Sequence, residues 1–346
     1  MNLQSFYKNK RVLVTGHTGF KGSWLCAILK YLEADICGVA LEPTSEKNLF
    51  DELDLANKME SHLCDIRNLE EVKTIFEQFQ PEIVLHLAAQ PLVIDSYNNP
   101  VHTYDVNVMG TVNVCECVRL CSSVKSFVNV TTDKVYKNIE QESYRYKEED
   151  YLDGFDPYSN SKSCSELVTS SYIHSFLENI AVSTCRAGNV IGGGDFSINR
   201  IIPDCIKFTQ QNEPIVLRNP NSIRPYQHVL EADMFYLLIA MKQYQDKSLA
   251  SNYNIGPNID DCITTGKLCD IFCQKWGQNA CWQATDYNGP HEANFLMLSI
   301  DKANQQLNWQ PKWNVEIAVE KTVEWVKEID KWHITNQQIK EYLGKL

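Results

Sequence analysis

Arg11-Val-Leu-Val-Thr15-Gly16-His17-Thr18-Gly19-Phe20-Lys21-Gly22-Ser23-Trp24 is the stretch that decides the fold. Its first five residues are apolar and β-branched, as a short buried strand requires. Glycines follow at 16, 19 and 22, and from Ser23 to Leu32 the apolar residues take helical spacing. Strand, glycine turn and helix in that order suit a pyrophosphate. Glycine lets the backbone come close, and the helix N-terminus offers unpaired N–H groups. Three glycines also make an ordinary turn; the strand before and the helix after give them weight. Gly16, Thr18, Gly19, Phe20 and Gly22 are therefore expected to line a dinucleotide. Lys21 faces either phosphate or solvent.

Working outward, Asp35–Ala40 reads as a second strand. An NAD site usually has an acid ~20 residues past the glycines. Glu42 is near that position, Pro43 follows it, and no Arg stands nearby to welcome a 2′-phosphate, so NAD is favoured over NADP. Ser61–Arg67 ends a third strand. There Asp65, beside Ile66, either reaches adenine or caps the helix starting near Leu69. Pro81–Gln90 is a fourth strand ending in small residues, so Leu87, Ala88, Ala89 and Gln90 let the backbone pass close to the cofactor. Val101 to Arg119 reads as a long helix holding Asn107, and Ser126–Val130 and Ala181–Arg186 as the fifth and sixth strands.

Strands alternating with helices every ~30 residues give an α/β protein, a Rossmann-type doubly wound parallel sheet. Beyond Ala187 the pattern turns irregular: a glycine-rich loop to Asp195, then helices at Ile201–Gln210, Glu231–Gln243, Leu268–Trp276 and Val315–Ile329, with short strands at Ile215–Leu217 and Tyr253–Gly256. The expected division is a Rossmann NAD-binding domain at 1–188 and a smaller, mixed α/β C-terminal substrate lobe at 189–346, with about 225–258 returning to the Rossmann domain. The cleft belongs between them, at the carboxyl ends of the strands.

Composition excludes several classes. The net charge is −12 with no basic block, which argues against nucleic acid or an anionic membrane as partner. No apolar run reaches the ~18 residues of a membrane span, and a strand beginning at Arg11 leaves no room for a signal peptide. Thirteen Cys, an odd number without a C-x-x-C pair, read as free thiols in a reducing cytoplasm. Cys117 and Cys121 share a helical face and read as core, so no metal is expected.

A second stretch carries the chemistry. Thr131-Thr132-Asp133-Lys134-Val135-Tyr136 follows the fifth strand, and Tyr158-Ser159-Asn160-Ser161-Lys162 opens a helix. Tyr158 and Lys162 lie one turn apart on one face. This composition gives about one Tyr-x-x-x-Lys by chance; the chain has one, placed on the helix after the fifth strand, where a Rossmann dehydrogenase needs it. As a base near neutrality, a tyrosine must fall ~3 units below its usual ~10. A nearby ammonium and a nicotinamide's positive charge push that way.

Thr15-Gly16-x-x-Gly19-x-x-Gly22, Leu87-Ala-Ala89, Asn107 and Tyr158-x-x-x-Lys162 together resemble the extended short-chain dehydrogenase/reductase family. Gly16–Trp24, Ala89-Gln-Pro91, Val130–Lys134, Asp156-Pro-Tyr-Ser159, Gly188–Asp195 and Arg224–Val229 resemble its CDP-glucose 4,6-dehydratase branch. The resemblance runs from about Val12 to Glu231 and covers the last hundred residues only loosely.

It implies NAD as cofactor, a nucleotide-sugar substrate and a homodimer or homotetramer. It also implies that Thr132 holds the sugar's 4-oxygen and Asp133 is the acid at C6. Lys134 stands where the wider 4,6-dehydratase pattern has Glu. A lysine is a base only well below ~10.4; Lys162 and burial both push Lys134 down, making it either the base at C5 or a partner that orients Asp133.

Arg200 and Arg224 are candidate pyrophosphate ligands, with surface ion pairs as the alternative. Asn189 and Asn254 hold phosphate or sugar, or cap loops. His228 reads as a packed core histidine. The competing functions are a sugar-nucleotide 4-epimerase or reductase, which has no use for Asp133 beside Lys134, and a non-catalytic NAD-binding regulatory protein, which has no use for the whole polar set.

Overall fold

The structure is a computed structural model that describes residues 2–344 apart from 142, 199 and 286–294. Seven strands make one sheet: β1 (Arg11–Thr15), β2 (Asp35–Ala40), β3 (Glu60–Leu63), β4 (Ile83–His86), β5 (Ser126–Thr132), β6 (Ala181–Ala187) and β7 (Asn252–Ile255). Their order is β7-β6-β5-β4-β1-β2-β3, and every pairing is parallel. The order reverses between β1 and β4, where such sheets take their ligands. Thr15 and His86 end these two strands in register.

Helices cover both faces, as a parallel sheet buried on both sides requires. On one face α1 (Phe20–Tyr31) and α6 (Val229–Gln245) pack through Trp24, Leu25, Ile28, Phe235 and Ile239. On the other, α2 (Leu69–Phe79) and α3 (Gly110–Leu120) pack through Val72, Phe76, Val114 and Val118. Beside α3 and against β5 lies α4 (Pro157–Ser175). Asp156 fixes its start: the carboxylate accepts from the Ser159 N–H at 3.0 Å and the Ser159 hydroxyl at 2.6 Å, and Pro157 takes the first helical position. Tyr158 therefore falls in the first turn and Lys162 one turn on.

A separate hydrophobic cluster gathers Ile202 and Cys205 of α5 (Ile201–Gln210) with Leu217, Leu268, Phe272 and Val319. β7 joins the main sheet beside β6, and α6 packs on β5 and β6. A first helix, Leu3–Tyr7, and a last, Lys331–Gly344, close the core beside α6. The Tyr7 hydroxyl donates to the Leu237 carbonyl at 2.7 Å and the Tyr342 hydroxyl to Glu231 at 2.5 Å.

Several expected bounds need correction: the third and fourth strands stop at Leu63 and His86, short of the expected Arg67 and Gln90. The helix expected at Val101–Arg119 is an α-turn, Pro100–Tyr104, then a π-turn, Asp105–Met109, then α3. The fifth strand runs two residues further than expected, so Thr131 and Thr132 still belong to the sheet. All thirteen cysteines are unbonded, with Cys115, Cys117 and Cys121 in the core. Among the described residues no helix is long and apolar enough to cross a membrane.

Candidate active site

The glycine turn is as tight as a pyrophosphate cradle requires. Gly16 has φ +79°, and a Cβ there would stand 2.8 Å from the Ala88 nitrogen. A Cβ on Gly22 would stand 2.0 Å from the Gly16 carbonyl oxygen. Gly19 caps α1 without a side-chain hydrogen bond, leaving the first N–H groups of the helix to a ligand. The Thr15 hydroxyl accepts from the N–H groups of Leu87 and Ala88, both at 3.1 Å, and so ties the ends of β1 and β4 together. Thr18 donates to the Leu41 carbonyl at 2.8 Å, Phe20 is half-buried, and Glu42 is exposed just past β2. These residues fit a dinucleotide.

The π-turn aims Asn107 inward, a frequent use of such turns at functional sites. Its Oδ1 accepts from the Gln90 N–H at 2.8 Å. Its Nδ2 donates to the Gln90 carbonyl at 3.1 Å and the Ser161 hydroxyl at 2.9 Å. Asn107 thus clamps the strip from Ala89 to Gln90 onto α4. Ile66 is buried against Gly110, where a Cβ would meet it at 2.4 Å. Asp65 is forked by Arg67 at 2.6 Å, and this hydrogen bond holds the carboxyl below its ordinary range. Asn68, not Asp65, caps the following helix.

Lys21 takes neither place expected for it. Its ammonium turns inward to the Tyr236 hydroxyl, 3.3 Å away on α6. Burial lowers its pKa, and Asp233 works against that. Asp233 is wholly buried with both carboxylate oxygens unbonded. The sequence neighbourhood of Lys21 gives no hint of this partner on α6.

Tyr158 and Lys162 face the end of β5. The Lys162 ammonium donates to the Val130 carbonyl at 2.9 Å. Burial, then Lys21, pulls its pKa down to about 8, against the pull of Glu166. Burial pushes the Tyr158 phenol up to about 12, with the Thr132 hydroxyl opposing. In the protein alone desolvation outweighs the neighbouring charges; the expected fall counts also a cation that arrives with the cofactor.

The turn Asp133–Val135 follows β5 directly. Asp133 is buried; its Oδ1 accepts from Thr132 at 3.0 Å, and Oδ2 has no partner. Burial raises its pKa, and Lys134, Thr132 and Arg224 pull the other way. A carboxyl kept protonated to higher pH is suited to donate a proton. Lys134 is half-buried rather than buried, and among the described residues no hydrogen bond or ion pair holds its ammonium. A Cβ on Gly188 would stand 2.7 Å from Pro225 and 3.2 Å from Asp133 Oδ2, so glycine makes room chiefly for Pro225 beside the carboxylate.

Arg224 is buried and its charge acts on Asp133. Arg200 pairs with Asp195 at 3.3 Å and its charge acts on Tyr158 and Lys21. Asn189 is half-buried at the same strand end. Asn254 departs from expectation. It is wholly buried, accepts from the Tyr136 hydroxyl at 2.6 Å and donates to the Tyr146 carbonyl at 2.8 Å, which commits its amide inside the protein. His228 is buried between Trp24 and Trp313. Away from this site, one set of metal-type donors comes together among the described residues: Cys37, Glu60 and His62 at the β2–β3 edge.

A family model described as GDP-mannose 4,6 dehydratase matches residues 13–322. The CDP-glucose 4,6-dehydratase of Salmonella typhimurium is 42% identical over 332 residues, covering 94% of this chain and 92% of that protein. Two solved structures share the fold. The dTDP-glucose 4,6-dehydratase of Bacillus anthracis in complex with NAD has a TM-score of 0.78 at 21% identity, covering 93% and 98% of the two chains. The UDP-glucose 4-epimerase of Thermus thermophilus in complex with NAD has a TM-score of 0.79 at 24% identity, covering 93% and 99%.

Proposed function

The chain belongs to the GDP-mannose 4,6-dehydratase family, and from that premise we propose that it converts CDP-D-glucose to the 4-keto-6-deoxy sugar and water. The observation that carries this is the meeting, at the end of β5, of Thr132, Asp133 and Lys134 with Tyr158 and Lys162 of α4. A 4-epimerase shares the fold and the Tyr–Lys pair but has no step for an acid and a base beside them.

NAD, when bound, supplies a hydride sink at C4 of the sugar and a hydride source at C6. Gly16, Thr18, Gly19, Phe20 and Gly22 would hold its pyrophosphate side. Asp65 and Ile66 lie at the end of β3, Leu87 to Gln90 at the end of β4, and Asn107 sets the latter strip. Tyr158 takes the 4-hydroxyl proton while Thr132 holds the oxygen. The 4-ketone acidifies C5–H, and Lys134 removes that proton. Asp133 protonates the departing C6 hydroxyl, which leaves as water. Arg200 and Arg224 neutralise the substrate's diphosphate, with Asn189 beside them.

In this reading residues 1–188 hold the cofactor and 189–346 mainly the substrate, with about 225–258 returned to the cofactor half. The protein works in the cytoplasm as a homodimer or homotetramer. Exposed Tyr97 on a short helix at Val93–Asn98, Val101, Tyr104 and Met109 on the helical run leading into α3, Leu167 on α4 and Phe176 just past it supply the apolar face for that pairing. The test is a panel of CDP-, UDP-, GDP- and dTDP-glucose assayed for 4-keto product. Turnover confined to CDP-glucose is expected; preference for another base would move the substrate assignment.

A further inference from the structure

Arg186, near the end of β6, lies in register with Thr131 of β5 and Asn254 of β7 and is almost wholly buried. Its guanidinium forks onto Glu166, with Nε to Oε1 at 3.0 Å and Nη2 to Oε2 at 2.9 Å. Nη1 donates to the Tyr136 hydroxyl at 2.8 Å and the Glu148 carbonyl at 2.9 Å. Glu166 is on α4, one turn beyond Lys162, and also accepts from the Thr131 and Thr184 hydroxyls. Tyr136 directly follows the Asp133–Val135 turn. Its ring stacks on Tyr146 at 5.2 Å, and the guanidinium lies 5.1 Å from its centre.

Stability alone gives a weak reason for this arrangement, because a buried ion pair is often no better than apolar residues of the same volume. What it does is join two pieces of chain. The planar guanidinium sends donors in fixed directions, so one side grips the helix bearing Tyr158 and Lys162. The other grips Tyr136, the residue just past the Asp133–Val135 turn, and so adds to the direct bond from α4 to the turn, Ser163 to the Val135 carbonyl at 2.8 Å.

We propose that Arg186, Glu166 and Tyr136 are positioning residues that hold this turn against α4, so that proton transfer at C5 and C6 acts on the sugar just oxidised at C4. The inference rests on the 4,6-dehydratase reading. In the elimination the C5–H and C6–O bonds break and C5=C6 forms. The C5 proton goes to Lys134, and the hydroxyl leaves as water with the proton of Asp133. A catalytic group misplaced by ~1 Å loses on the order of 10²-fold in rate.

Tyr136→Phe removes one hydroxyl and keeps the ring. In single turnover with NAD⁺ and CDP-glucose, NADH should form at about the wild-type rate while the 4-keto-6-deoxy product forms on the order of 10²-fold more slowly. Reduced cofactor then accumulates, and solvent deuterium enters C5 more slowly in step. Arg186→Lys keeps a charge beside Glu166, but one ammonium cannot fork there and also reach Tyr136. It should show the same split, at least as deep, and it decides the matter if Tyr136→Phe does not fold. Equal slowing of oxidation and elimination would make the network merely structural and overturn the proposal, as would unchanged elimination in both variants. A wild-type enzyme that makes no 4-keto product from any nucleotide-glucose would sink the function instead. Wild-type turnover without the split would sink only the positioning role.

Discussion

The helix that carries Tyr158 and Lys162 and the turn that carries Asp133 and Lys134 meet at one strand end but are held very differently. The inward face of α4 is fastened almost residue by residue. Ser161 meets Asn107, Lys162 the Val130 carbonyl, Ser163 the Val135 carbonyl, and Glu166 meets Thr131 and Arg186. The turn is three residues long; the Ser163 hydroxyl of α4 and the Asp153 N–H hold only its last carbonyl, Val135, while one Asp133 oxygen is unpartnered and the Lys134 ammonium unheld among the described residues. The redox pair thus inherits its geometry from a strand and a capped helix. The groups that would make the enzyme a dehydratase depend on the far end of a short turn.

The difference predicts which substitutions stop everything and which stop only the second half. Tyr158→Phe should have the largest effect, removing the base for C4 oxidation. Product formation is expected to fall about 10³- to 10⁴-fold, with no burst of NADH in stopped-flow absorbance. A normal burst would take the first proton transfer away from Tyr158. Asp133→Asn should leave that burst and slow elimination by about 10²- to 10³-fold, so that NADH persists on the enzyme. Oxidation lost to the same degree would join the two regions into one functional unit. Lys134→Ala should cut solvent-deuterium entry at C5 by on the order of 10²-fold; NMR exchange at the wild-type rate would leave Lys134 only orienting Asp133.

The smallest effect is expected at His228, which belongs to neither region. Burial pulls its pKa down to about 3, from an ordinary value of ~6.5. Below about pH 6.5 the unfolded chain takes up a proton that the folded protein refuses until about pH 3, so this residue's contribution is present above 6.5 and lost as pH falls. His228→Asn should therefore reduce the slope of stability against pH in that window by up to ~1.4 kcal/mol per pH unit, read by denaturant titration, and leave the pH profile of kcat/KM unchanged. A shifted activity profile would bring His228 into the site.

Most of the sheet is legible because β1, β2, β4 and β6 are local, largely apolar runs, and the order of elements leaves few topologies for a parallel sheet; β3 (Glu-Ser-His-Leu) and β7 (Asn-Tyr-Asn-Ile) carry no such run. The fifth strand was cut short because Thr131 and Thr132 are polar; only their pairing with Arg186 and Ala187 shows that the ladder continues. The π-turn around Asn107 replaces a helix of the same spacing and leaves no composition signal. Lys21 was open between phosphate and solvent because Asp233 and Tyr236 reach it from α6. Asn254 stays open in the sequence between a substrate contact and a loop cap because its partners, Tyr136 and the Tyr146 carbonyl, come from far along the chain. The Arg186–Glu166–Tyr136 unit is illegible for the same reason: each member is unremarkable in sequence, and only the packing of α4 and the turn around β6 brings them together.

The most direct test follows one hydride. CDP-[4-²H]glucose is incubated with the enzyme and NAD⁺ in ordinary water, and the product is read by NMR and mass spectrometry. A 4,6-dehydratase leaves the deuterium in the C6 methyl group of CDP-4-keto-6-deoxyglucose, with the cofactor oxidised at the end. Deuterium recovered at C4 of a hexose, or lost to solvent, would contradict the assignment.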